Sequence, residues 1–149
     1  MIRVVVSPAT IDVAAEMALS EADGVGAVAT FTGLVRADPG AVGDVETLEL
    51  EHYPGATEAA LEALAREAQT RWSLGSVTVV HRVGPMRPGE RIVFVAASSR
   101  HRGAALDACA FLIDRLKTDA PFWKRETRGG TAAWVEAREA DDAAARRWT

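Results

Sequence analysis

The sequence predicts an α+β fold built around a mainly antiparallel sheet, and three observations carry that prediction. Short β-prone runs are separated by Gly- and Pro-containing turns. Two longer stretches repeat apolar residues at helical spacing, and Val45–Tyr53 alternates cleanly between two faces. At 149 residues the chain is expected to form one domain, residues 1–149, large enough to bury a core.

Taken in order, Ile2–Val6 reads as a strand broken by Ser7-Pro8. Thr10 or Asp12 opens a short helix to about Glu21, closed by Ala22-Asp23-Gly24. Val25–Gly33 is small, β-prone and strand-like, and Ala37–Asp44, with one Pro and two Gly, is a loop. Along Val45–Tyr53, Leu48, Leu50 and His52 face one way while Thr47, Glu49 and Glu51 face the other. Pro54-Gly55 turns the chain, and Thr57 caps a helix to about Trp72, with Ala60, Leu61, Leu64, Ala68 and Trp72 on one stripe.

Ser76–Val83 and Arg91–Ala97 are two further strands, joined by a turn region running from Gly84-Pro85 to Pro88-Gly89. Ser98 or Ser99 caps the next helix, with Arg100, His101 and Arg102 in its first turn. That helix ends near Thr118, because Pro121 disfavours helix at the residue before it. Phe122–Thr127 and Thr131–Ala137 form a hairpin around Arg128-Gly129-Gly130, and Asp141–Trp148 is a short helix or tail.

Composition narrows the classes. The chain is 48% hydrophobic and 26% charged, as in ordinary water-soluble proteins. No apolar run approaches the roughly 18 residues of a membrane span, and MIRVVVSPATID lacks the apolar core of a signal peptide. A cytoplasmic location and no membrane partner are expected. A single cysteine excludes an intrachain disulfide and a Cys-rich zinc site, and no His pair has zinc-ligand spacing, so no metal and no cofactor are expected. A net charge of −4 argues against a nucleic-acid partner.

Against that acidic background, residues 100–125 hold six Arg or Lys and three Asp, a local net of +3. Cations in a first helical turn oppose the macrodipole at about 0.3–1 kcal/mol each. A bound phosphate or carboxylate would make sense of them, and splaying into water is the alternative. Arg102 and Lys117 lie about 60° apart in azimuth and about 22 Å apart along the axis. Lys117 also complements the helix C-terminus, and Lys124 can fold back towards it. Two neighbouring ammonium groups depress one another's pKa, which suits a lysine to acid–base or nucleophilic work. Arg36, ending TFTGLVR beside the loop, is a phosphate clamp or an ordinary loop cation. Cys109 lies mid-helix beside Ala105, Ala108, Leu112 and Leu116, a core setting rather than that of an activated thiol. His52 reads as a sheet or interface residue.

The set TFTGLVR (30–36), LELEHYPGATE (48–58), VTVVHRVG (77–84), PGERIVFVAASSRHR (88–102), LKTDAPFWKRE (116–126) and WVEAR (134–138) closely resembles the molybdopterin synthase large-subunit family, in order over nearly the whole chain. The resemblance implies an α/β hammerhead-type domain with an additional antiparallel β subdomain. It also implies a homodimer that binds a small ubiquitin-like sulfur-carrier subunit at each end. The carrier's C-terminal Gly-Gly thiocarboxylate would enter a pocket and deliver two sulfurs to cyclic pyranopterin monophosphate, forming the molybdopterin dithiolene. On the same basis Lys117 and Lys124 are the catalytic candidates. Arg36, His101, Arg102, Glu126 and Arg138 are the substrate-binding ones, Arg138 reaching the pocket from the other subunit. Leu34 stands where some relatives have Lys, and the Arg128–Ala133 connection departs from the family's form. A non-catalytic anion-binding scaffold and a Cys109-dependent sulfurtransferase remain the rival readings.

Overall fold

The computed structural model describes residues 1–39, 43–135 and 139–149, and contains two four-stranded sheets and four helices. The first sheet has the order β1 (Ile2–Ser7), β4 (Ser76–Arg82), β6 (Arg91–Ser99), β2 (Ala27–Leu34). Only β1 and β4 run parallel; β4–β6 and β6–β2 are antiparallel. β4 and β6 are continuous apolar runs because both faces of this sheet are covered. Val77, Val79, Val93 and Val95 point to α2 (Ala56–Trp72) and α3 (Arg102–Asp119), meeting Leu61, Leu64, Phe111, Leu112 and Leu116 in the main core. The alternate residues Val80, Phe94 and Ala96 pack with Ile11 and Val13 at the start of α1 (Val13–Ser20) on the other face. Asp12 caps α1 by accepting from the Ala15 N–H at 3.1 Å.

The second sheet is antiparallel, in the order β5 (Gly84–Met86), β3 (Val45–His52), β7 (Phe122–Arg128), β8 (Thr131–Val135). Leu48 and Leu50 of β3, with Met86, Val83 and Val35, make a smaller core beneath it. This is the additional antiparallel subdomain that the resemblance implied. α4 (Glu139–Arg146) packs on α3, and the chain beyond it is pinned there. Trp148 contacts the rings of Trp72 and Phe111, and its Nε1 donates to Asp114 at 2.8 Å.

Four local expectations are corrected. The turn region after β4 contains β5, an edge strand too short and too proline-rich to read as one. β6 continues through Ser98 and Ser99, so neither caps α3. Ser98 is fully buried, its hydroxyl 2.7 Å from that of Ser76. The cap is His101, without a side-chain bond, so Arg100 precedes the helix and only Arg102 lies in its first turn. For α2 the cap is Gly55 at φ +88°, whose N–H donates to Glu58. Thr57 is two residues past the cap, in the first turn, and fully buried. Its Oγ1 accepts from the Tyr53 N–H and donates to the Pro121 carbonyl, fastening α2 to the exit of α3.

Candidate functional site

The site forms where α3 ends. Leu116 is buried in the main core, so Lys117, one position on, emerges at the helix rim. α3 stops at Ala120 because the proline that follows cannot continue it. β7 then returns antiparallel to β3, with Phe122 opposite His52, Lys124 opposite Leu50 and Glu126 opposite Leu48. Strand alternation puts Phe122, Lys124 and Glu126 on one face and Trp123 and Arg125 on the other. Arg125 is thereby spent outside the site, paired with Glu49 at 2.9 Å and lying over Trp134. Arg36 arrives from the end of β2, where buried Val35 anchors the chain.

Two adjoining cavities share Ile92, Lys117, Lys124 and Asp141. One, of about 260 Å³, is also lined by Leu34, Arg36, Asp38 and Glu126 and is the polar compartment. The other, of about 150 Å³, is walled by Leu50, Leu116, Phe122, Val135 and His81. Lys117 makes no hydrogen bond or ion pair with any described residue, so its ammonium is available to a ligand. Arg36 pairs with Asp38 at 3.3 Å. Glu126 is held by Arg128, whose guanidinium donates to it at 3.0 and 3.3 Å and also to the Asp38 and Gly43 carbonyls. Arg128 thus ties both described ends of the 38–43 loop to β7.

His81 is buried and stacked on Phe122, ring centroids 4.0 Å apart. Burial lowers its pKa to about 4, with further lowering by Lys117, Lys124 and His52 opposed by a hydrogen bond to the Arg82 carbonyl. The imidazole is therefore neutral at pH 7.

Of the site residues expected from sequence, Arg36, Lys117, Lys124 and Glu126 come together here. His101 and Arg102 do not. They are exposed at the opposite end of α3, about 22 Å away by helix rise. The β2–β6 register says the same, pairing Ala27 with Ser99 at one end and Leu34 with Arg91 at the other. Arg138 lies outside the described residues. His81, Asp141 and Arg128 line or brace the site without having been singled out. His81 hides in an apolar strand and Asp141 in a polar terminal stretch, neither of which carries a local signal. Arg128 sat in an expected turn. Cys109 is 7% exposed in the main core, and burial pushes its thiol up to about 11, the opposite of an activated nucleophile. His52 lies 3.9 Å from Glu58 at the sheet end.

Comparison with known proteins agrees over the same span. The model of the MoaE protein family matches residues 6–119. The chain is 52% identical to the molybdopterin synthase catalytic subunit of Escherichia coli over 148 residues, covering 98% of this chain and 97% of that one. It is 54% identical to that of Mesorhizobium japonicum over 142 residues, covering 92% and 87%. Among solved structures, molybdopterin cofactor biosynthesis protein E of Burkholderia multivorans superposes with a TM-score of 0.83 at 49% identity, covering 99% of this chain and 97% of that one. Molybdopterin synthase from Staphylococcus aureus does so with 0.82 at 30% identity, covering 90% and 96%. The two-sheet fold, the cavity built by LKTDAPFWKRE and these full-length likenesses agree: the chain belongs to the MoaE protein family.

Proposed function

We propose that residues 1–149 act as one domain, the catalytic subunit of a molybdopterin synthase. It would be a sulfurtransferase that moves sulfur from the C-terminal thiocarboxylate of a small ubiquitin-like carrier onto cyclic pyranopterin monophosphate. The observation that carries this reading is the convergence of Arg36, Lys117, Lys124 and Glu126 on one two-part cavity. The rest is supported by the catalytic-subunit relatives at 52–54% identity.

In this reading the polar compartment holds the phosphate-bearing substrate, with Arg36 offering a planar fork to its oxygens. Lys117 positions the thiocarboxylate and moves a proton as its sulfur bonds to the substrate carbon and a C–O bond of the cyclic phosphate breaks. The freed phosphate oxygen is the leaving group, and Lys124 assists from the facing strand. Water then hydrolyses the acyl link left to the spent carrier, and a second loaded carrier brings the second sulfur. Holding tail and substrate together contributes to rate through proximity. His101 and Arg102, about 22 Å from Lys117 in one chain, serve the phosphate only if a second copy presents them. Arg138 is assigned to the same shared role.

The buried thiol disfavours the Cys109 sulfurtransferase, and Lys117, with no hydrogen bond or ion pair among the described residues, disfavours an inert scaffold. Lys117→Ala, assayed with thiocarboxylated carrier and precursor, is expected to lose at least about 100-fold in kcat. Near-wild-type molybdopterin formation would overturn the assignment.

A further inference from the structure

The smaller compartment has a wall group that the proposed chemistry leaves unused. His81 Nδ1 lies 3.0 Å from the Arg82 carbonyl oxygen. A carbonyl only accepts, so Nδ1 carries the proton, and the neutral ring keeps a lone pair on Nε2. No described residue donates to Nε2, although the ring forms part of the cavity wall and the residue is only 6% exposed. An acceptor on the wall of a cavity is open to a donor from whatever enters it. Among the described residues the other polar side chains on this cavity are Lys117, Lys124 and Asp141, so His81 is the one uncharged acceptor side chain there.

The size of the compartment selects the occupant. At about 150 Å³ it is the smaller of the two, against about 260 Å³ for its neighbour. The slimmer ligand, a chain without side chains, suits it better than a fused heterocycle with its phosphate. The larger, charged neighbour suits the anionic substrate. Both open onto Lys117 and Lys124, so a tail in one and a substrate in the other would meet at the lysines.

We propose that His81 is a carrier-binding residue: its Nε2 accepts a hydrogen bond from a backbone N–H of the carrier's terminal glycines, seating the tail in the smaller compartment. This rests on the synthase reading and adds to it which compartment takes the tail and which atom holds it. The ring's stack on Phe122 and its bond to Arg82 hold Nε2 in place before the tail arrives.

The test compares His81→Phe, which keeps a flat ring and removes the acceptor, with His81→Gln, which keeps an amide oxygen. Binding of unthiolated carrier to the full chain is measured by calorimetry, alongside a carrier lacking its last two glycines. His81→Phe is expected to weaken the intact carrier at least tenfold, to leave the truncated carrier within twofold and to retain a cooperative melt. His81→Gln is expected to recover most of the loss. In turnover, the KM for thiocarboxylated carrier should rise while that for the precursor stays within twofold. Unchanged carrier affinity in His81→Phe overturns the proposal. So does a rise in precursor KM alone, which would give the acceptor to the heterocycle, or an equal loss in both variants, which would make the role structural. Failure of the wild-type chain to form molybdopterin would strike the synthase reading instead, since the carrier-binding comparison needs no turnover.

Discussion

Cys109 and His81 are both buried side chains with shifted pKa values, yet only one faces a cavity. Cys109 is packed among Ala105, Ala108 and Leu112, so Cys109→Ser should keep full activity in the carrier and precursor assay. It should cost about 1 kcal/mol in urea unfolding, the penalty of a hydroxyl in an apolar site. His81 couples stability to pH. Its folded value of about 4 lies below the ordinary 6.5, so between these the unfolded chain binds a proton that the folded chain refuses. Stability from this group is complete above about pH 6.5 and falls as pH drops towards 4, the groups facing it being Lys117, Lys124 and His52. Its share of the loss between pH 7 and pH 5 is about 2 kcal/mol. Unfolding of wild type and His81→Phe at both values checks this: the variant should lose less by that amount.

At the scale of elements, β7 does most to make the site. Its alternation aims Lys124 and Glu126 inward, and its last residue, Arg128, grips the loop that follows Arg36. Arg128→Ala removes both loop anchors while touching neither lysine. It is expected to raise the KM for the phosphate-bearing substrate about fivefold, roughly 1 kcal/mol of lost positioning, with kcat little changed. Steady-state kinetics with varied precursor measures the split. Most of these elements were legible because their signals are local: Val45–Tyr53 alternates, Pro121 stops a helix, and Gly129-Gly130 turns a hairpin. β5 and the extension of β6 through Ser98 and Ser99 were not. Three residues with a proline look like a turn until Leu48 and Leu50 supply partners. Two serines look like caps until Ser76 buries one of them.

Across the whole molecule, the basic residues that looked like one cluster divide between the two ends of α3. A helix of 18 residues keeps its ends apart, so one chain cannot offer Arg102 and Lys117 to the same ligand. If a two-fold dimer brings them together, each site draws on both copies. Co-expressing Lys117→Ala with Arg102→Ala chains should then restore activity that neither variant has alone. Each mixed dimer keeps one intact site, giving about a quarter of wild-type activity at random pairing. No recovery would mean that the two residues serve separate sites.

The sequence by itself determined the α+β class, the order and most of the bounds of the strands and helices, and the core setting of Cys109. All of these depend on residues within a few positions of one another. Its likeness to a known family singled out Lys117, Lys124, Arg36 and Glu126. The tertiary structure alone decided that these four share a cavity, that a smaller one adjoins it, and that His81 stands neutral on the wall of the second. The physical reason is distance along the chain: Arg36, His81, Lys117 and Asp141 are brought together by the pairing of strands and the packing of α3 and α4, which no local pattern encodes.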